Sequence, residues 1–192
     1  MNEIPQFDAK RRPQYTWFER LRSYFYFVPA VYLYTAVMGT LSLLSSLFDR
    51  SGRVQHWFAS TWSKMILKTL FIPVHVEGQE NLDSSQPCIY ASNHLSAVDI
   101  PVLYAALPFQ FRIMAKKELF LYPFLGWHLK RSGQIPVDAE DARASLRSLN
   151  RASETLRHGM PLVVFPEGGR SRTGQLQPFL SGAFYVAIKA QA

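Results

Sequence analysis

The sequence predicts an α/β domain with a largely parallel sheet flanked by helices, preceded by a helical N-terminal segment. Two observations predict the domain. Short apolar runs recur at residues 88–92, 111–115, 134–137 and 162–165, the length expected of buried strands. Between the last two lies an amphipathic stretch that reads as a helix, and strands alternating with helices favour a parallel sheet. A third observation sets the N-terminus apart: residues 23–48 carry no charge at all.

Taken in order, residues 1–22 are polar and basic, with Lys10, Arg11, Arg12, Arg20 and Arg22. The uncharged run that follows is long enough to cross a bilayer, which needs about 20 apolar residues. Pro29, Thr35, Thr40, Ser42, Ser45 and Ser46 dilute it, and Tyr24, Tyr26, Tyr32 and Tyr34 suit a headgroup layer. The long basic lead and the missing small-residue cleavage pattern do not fit a signal peptide. Residues 54–71 follow with Trp57, Phe58, Trp62, Met65, Ile66 and Leu70 near helical spacing, and Lys64 and Lys68 four apart on a shared polar side. Two readings stand: a transmembrane or re-entrant helix followed by an interfacial one, or two ordinary helices packed on the domain. Pro73 and Gly78 mark the turn into the globular part, so the expected division is 1–72, membrane-associating helices, and 73–192, the α/β domain. In the amphipathic stretch, Glu140 and Asp141 stand at the start, Leu146, Leu149 and Leu156 form an expected stripe, and Arg157, His158 and Gly159 close it. That charge order suits the helix dipole, and glycine suits the position after a helix end.

Composition narrows the partners. Apolar residues are 48% of the 192, enough for a core, and 21 Lys and Arg against 14 acids give a net charge of +7. That surplus favours anionic partners such as lipid or phosphorylated substrates. No basic stripe alternates with aromatics, so no nucleic-acid partner is expected. The single cysteine, Cys88, excludes an internal disulfide and a multi-cysteine zinc site. Beside Ile89 and Tyr90 it reads as a buried strand residue in a reducing compartment.

Two constellations follow strand patterns, where parallel sheets gather functional loops. The first is Asn93-His94-Leu-Ser-Ala-Val-Asp99. Histidine titrates near neutral pH and makes a natural base, and a carboxylate beside it would fix its tautomer. On an ideal helix five positions separate two side chains by about 140°. His94 and Asp99 therefore meet only if His94 precedes a helix starting near Ser96, with Asn93 or Ser96 as cap and Ser96-x-x-Asp99 resembling a capping box. The same residues also fit a plain helix start with a satisfied turn histidine. The second constellation is Phe165-Pro166-Glu167-Gly168-Gly169-Arg170-Ser171, followed by Arg172. The glycines permit close backbone approach, the arginine forks match phosphate oxygens, and Glu167 suits a hydroxyl or an arginine. A solvated basic turn is the competing reading. The Gly-Lys-Ser/Thr ending of a nucleotide P-loop is absent.

Together, in this order and about 70 residues apart, the motifs resemble those of the 1-acylglycerol-3-phosphate acyltransferase family, Asn-His-x-x-x-x-Asp followed by Phe-Pro-Glu-Gly-x-Arg-Ser. Ala115-Lys116-Lys117-Glu118-Leu119 and Gly126 resemble the block between them. The resemblance covers residues 73–187 and, more loosely, the hydrophobic N-terminus. It implies the glycerolipid acyltransferase fold, with His94 and Asp99 catalytic and Glu167, Gly168, Arg170, Ser171, Lys116 and Lys117 binding substrate. It implies transfer of a fatty acyl group from acyl-CoA or an acyl-carrier-protein thioester to lysophosphatidic acid, with the membrane bilayer as partner on the inner face of the cytoplasmic membrane. No cofactor is expected, and no metal, because His94 and Asp99 are too few ligands.

Three departures bear on this. Ala139 follows Pro136-Val137-Asp138 where the family has an arginine, leaving Arg143, Lys116 or Arg170 to compensate. Leu180 replaces a lysine after Phe179. The family's last motif is missing, and residues 186–192 read as an interrupted helix, so a missing C-terminal part is expected. The lost arginine keeps another lyso-lipid acceptor open, such as a lyso-ornithine lipid. Aromatic helices and basic charge alone would suit a non-catalytic membrane-binding fragment.

Overall fold

The computed structural model describes residues 15–82, 86–138, 140–171 and 173–192; Lys10, Arg11, Arg12, Ala139 and Arg172 lie outside them. Among the described residues, four parallel strands form one sheet in the order β1-β4-β2-β3: β1 Ile89–Ala91, β2 Arg112–Lys116, β3 Ile135–Val137 and β4 Leu162–Val164. The helices are α1 Trp17–Arg22, α2 Val28–Ser45, α3 Arg53–Thr69, α4 Asp99–Ala106, α5 Leu125–Arg131, α6 Ala142–Arg157 and α7 Gly182–Ala190. Each strand falls where an apolar run predicts it, within a residue or two at the ends.

Alternation along β4 builds the core. Successive strand residues point to opposite faces. Leu162 and Val164 join Ile135, Ala152, Leu156 and Val186 under α6 and α7, while Val163 joins Ala59, Tyr104, Phe111 and Ile113 under α3 and α4. Both faces are covered, which is why β4 is apolar at every position.

The amphipathic helix is α6. Asp141 caps it, accepting from the N–H groups of Arg143 and Ala144, and Gly159 follows its end at φ +85°. The expected stripe needs one correction. Leu149 and Leu156 pack on the sheet, but Leu146 is exposed. At 100° per residue Leu146 stands about 80° from Leu156, and Ala152 and Ser153 take the buried face instead. Cys88 is another correction: it lies one residue before β1 and is only half-buried, because that edge strand begins at Ile89.

The uncharged run as far as Ser45 continues a helix that begins in the basic lead, and together they form one rod, Trp17–Ser45, with a π-helical turn at Ser23–Phe27. Thr16 and Glu19 cap it reciprocally, so it starts inside the basic lead. It is long and apolar enough to cross a membrane, and little of it is buried. One face of α2 nonetheless packs on the domain. Trp62 Nε1 donates to Thr35 Oγ1 at 3.1 Å, and Ser42 Oγ meets His128 Nδ1 at 2.7 Å.

Burial of His128 under α2, assisted by the Arg112 charge, pushes its pKa down to about 4. The folded state therefore refuses a proton that the unfolded chain accepts below about pH 6.5. Stability contributed by neutral His128 is complete above that value and declines as pH falls towards 4. We expect His128→Gln to flatten the decline by up to about 1.4 kcal/mol per pH unit between those limits. Urea titrations across that range check this, and parallel curves would refute it.

Candidate active site

Strands β1 and β4 are adjacent and parallel, pairing Ala91 with Val164, so both following loops leave the same edge of the sheet. His94 lies three residues beyond β1 and Glu167 three beyond β4. The Ser92 N–H donates to Val164 O at 3.0 Å and carries the ladder past the strand ends.

The two loops are then bound to each other through His94. Its backbone N–H donates to Glu167 Oε1 at 2.9 Å, and its carbonyl accepts from the Ser171 N–H at 2.7 Å. Glu167 Oε2 accepts from the Gln177 N–H at 2.8 Å. Both Glu167 oxygens thus hold main chain, and the carboxylate is the clamp that fixes where His94 sits. Glu167→Gln replaces one acceptor with an amide facing an N–H donor, and charge-assisted bonds of this kind contribute about 1.5–3 kcal/mol. We expect a comparable loss in urea unfolding together with a fall in turnover; unchanged stability would refute the clamp.

The His94 ring is equally fixed. Its Nδ1 lies 2.8 Å from Asp99 Oδ2, and it stacks on Phe165 with centroids 4.0 Å apart and planes 20° from parallel. The same Asp99 oxygen accepts from the N–H groups of Leu95 at 2.7 Å and Ser96 at 2.9 Å. Burial alone would raise the Asp99 pKa, but the bonds from Ser96, His94 and Leu95 outweigh it and hold the carboxyl below the ordinary aspartate range. An ionised Asp99 accepts only, so Nδ1 carries the proton and Nε2 remains as the basic nitrogen. The His94 side chain is 17% exposed, enough for a substrate hydroxyl to reach it.

The expected helix start shifts. Helix α4 begins at Asp99 itself, with Val98 as the preceding residue and no side-chain cap. Residues 95–98 stay out of the helix because Asp99 has taken the Leu95 and Ser96 N–H groups. Neither Asn93 nor Ser96 caps α4.

The remaining expected site residues share this edge of the sheet. Gly168 adopts φ +73°, which glycine tolerates and other residues resist. Its N–H donates to Phe165 O at 3.0 Å, so that amide is already engaged and is not an oxyanion donor. Arg170 is exposed. The Ser171 hydroxyl donates to Gln175 O at 2.6 Å, closing the loop on itself. Lys116 ends β2 and is exposed, while Lys117 Nζ pairs with Asp138 Oδ2 at 2.6 Å. The stacking role of Phe165 and the backbone role of Gln177 have no separate signal in the sequence, although Phe165 lies within the second motif. Among the described residues no three His, Cys, Asp or Glu side chains gather as metal ligands would.

Comparison with known proteins adds to this geometry. The sequence profile of the family described as Acyltransferase matches residues 73–192. The chain is 37% identical over 145 residues to the chloroplast 1-acyl-sn-glycerol-3-phosphate acyltransferase BAT2 of Brassica napus, covering 74% of this chain and 42% of that protein. It is 35% identical over 149 residues to the 1-acyl-sn-glycerol-3-phosphate acyltransferase of Saccharomyces cerevisiae, covering 76% of this chain and 49% of that one. The crystal structure of the 1-acyl-sn-glycerophosphate (LPA) acyltransferase PlsC from Thermotoga maritima superposes with a TM-score of 0.75 at 27% identity, over 90% of this chain and 70% of that one. The chain thus spans less than half the length of these two curated relatives. On its profile match and its identity to these relatives, the chain belongs to the acyltransferase family that includes the 1-acyl-sn-glycerol-3-phosphate acyltransferases.

Proposed function

We propose that the chain carries the catalytic base of a membrane-surface enzyme that acylates lysophosphatidic acid to phosphatidic acid. One observation supports this most: the Nδ1–Asp99 bond of 2.8 Å, which leaves His94 Nε2 as a proton acceptor. In the proposed reaction Nε2 takes the proton from the free hydroxyl of the acceptor as its oxygen attacks the thioester carbonyl carbon. The tetrahedral intermediate collapses with cleavage of the C–S bond, and the imidazolium returns the proton to the departing thiolate. Both acyl-CoA and acyl-carrier protein supply such a thioester. Arg170 and Lys116, exposed on the same edge of the sheet, are the proposed partners of the acceptor phosphate, with Lys117 sharing its charge with Asp138.

Membrane attachment is assigned to α1 and α2. Trp17, Phe18, Tyr24, Phe25, Tyr32 and Leu33 are exposed, whereas the opposite face of α2 packs on α3 and α5. A rod held against the domain in this way would carry α3, with exposed Lys64 and Lys68, into hydrocarbon if it stood upright. We therefore place it within one leaflet, on the cytoplasmic face where polar thioester donors are made.

The test offers acyl-CoA and acyl-carrier protein to the protein in detergent micelles, with lysophosphatidic acid, lysophosphatidylcholine and lyso-ornithine lipid as alternative acceptors. Phosphatidic acid with stoichiometric thiol release is the expected product. Acylation of another lyso-lipid alone would move the acceptor assignment, as the missing arginine at Ala139 allows. No product with any acceptor would leave a membrane-binding fragment.

A further inference from the structure

Where the end of α2 meets α5, a groove of about 340 Å³ is lined by Leu43, Trp127, Lys130 and Arg131. It is separate from the site at His94. Helix α5 runs through residues 132–134 into the start of β3, so its last turn lies at the edge of the sheet opposite the catalytic loops. The groove is built on fixed elements: the Ser42 and His128 side chains, neighbours of Leu43 and Trp127 in the chain, bond across the same helix pair.

Its chemistry is divided. Leu43, Trp127 and the aliphatic stems of Lys130 and Arg131 form an apolar wall, and the exposed charges of these two residues stand at its rim in the last turn of α5, with no carboxylate in the lining. Just beyond, Leu44, Leu47 and Phe48 are exposed, Phe48 at 91%. Exposed Arg50 follows them. Asp49, the first acid after Leu43 in the chain, is occupied by the N–H groups of Ser51 and Val54 at 2.8 and 2.7 Å. An apolar surface bordered by cations at the end of a lipid-facing helix matches one occupant in particular, because acyl chains and headgroup phosphates meet there.

We propose that this groove binds an anionic phospholipid of the bilayer surface, with its phosphate on Lys130 and Arg131 and the first part of an acyl chain along Leu43 and Trp127. The proposal rests on the reading that α2 lies in the membrane. It adds an orienting contact at the far end of the rod that fixes how α2 lies along the headgroup layer, independent of the substrate bound at His94.

The experiment is co-sedimentation with vesicles of phosphatidylcholine alone and of phosphatidylcholine mixed with phosphatidylglycerol. The double variant Lys130→Gln with Arg131→Gln is expected to bind the anionic vesicles on the order of thirtyfold more weakly and the neutral ones unchanged. Arg147→Gln with Arg151→Gln on α6, an equal change in charge, is the control and is expected to lose little. With brominated phosphatidylglycerol, Trp127→Phe is expected to remove part of the tryptophan quenching. Acyl transfer in detergent micelles stays at the parent rate in all of these variants. Equal weakening by both charge pairs would mean a diffuse field and overturn the site, as would unchanged binding or unchanged quenching. Failure of the parent protein to bind either vesicle would instead overturn the membrane reading itself.

Discussion

Replacing His94 with alanine is expected to lower acyl transfer by on the order of 10²–10⁴, the range that general-base catalysis contributes, with little change in acceptor KM. The separation of effects follows from the geometry. The residues proposed to meet the acceptor phosphate, Arg170 and Lys116, do not depend on the imidazole, whereas proton removal from the hydroxyl does. The variant should also fold. The bonds that join the two loops at position 94 are main-chain bonds, from the His94 N–H to Glu167 and from the Ser171 N–H to the His94 carbonyl, and alanine keeps both. What disappears is the Asp99 bond and the stack on Phe165. Steady-state kinetics with a circular-dichroism control decide the matter, and transfer within tenfold of the parent would remove His94 from the role of base.

Much of this site is legible in the sequence because local chemistry determines it. The short apolar runs mark all four strands, since a parallel strand covered on both faces has no polar alternation to hide it. The helix start at Trp17 goes unread, because its Thr16 and Glu19 cap lies among the charges of the basic lead. Asp141 and Gly159 mark both ends of α6. The remainder depends on partners that no local pattern carries. Glu167 reads as a ligand for a hydroxyl or an arginine, yet its oxygens go to backbone groups 73 and 10 residues away. The start of α4 moves from Ser96 to Asp99 because one carboxylate oxygen serves His94 and two backbone N–H groups together. Leu146 reads as core by composition and lies outside by helical angle. Lys117 reads as a substrate cation, and only strand pairing of β2 with β3 reveals that Asp138 stands opposite it.

The shared oxygen makes Asp99→Asn the sharpest probe of the mechanism. At the position of that one oxygen an asparagine places either its carbonyl, a neutral and weaker acceptor for the same three donors, or its amide, which faces donors on every side. With the amide directed at the ring, the imidazole is driven to the tautomer protonated on Nε2, the nitrogen that must be bare to act as a base. Where a carboxylate holds a catalytic histidine in this manner, the tautomer change costs on the order of 10⁴ in turnover, and we expect a comparable loss here with acceptor KM preserved. Stability changes in a way that His94→Ala cannot imitate. The Asp99 carboxyl is held below its ordinary range in the fold, so its contribution is present above about pH 4 and is lost as pH falls through the folded value. Asparagine does not titrate, so the variant should be less stable at neutral pH and should lose less on further acidification. Urea unfolding at neutral pH and below about pH 4 tests this sign. Kinetics test the coupling: His94→Ala with Asp99→Asn should be no slower than His94→Ala alone, because groups that act as a unit are not additive when removed. A double variant slower by the product of the two single losses would show that Asp99 acts on the reaction by a route other than the imidazole.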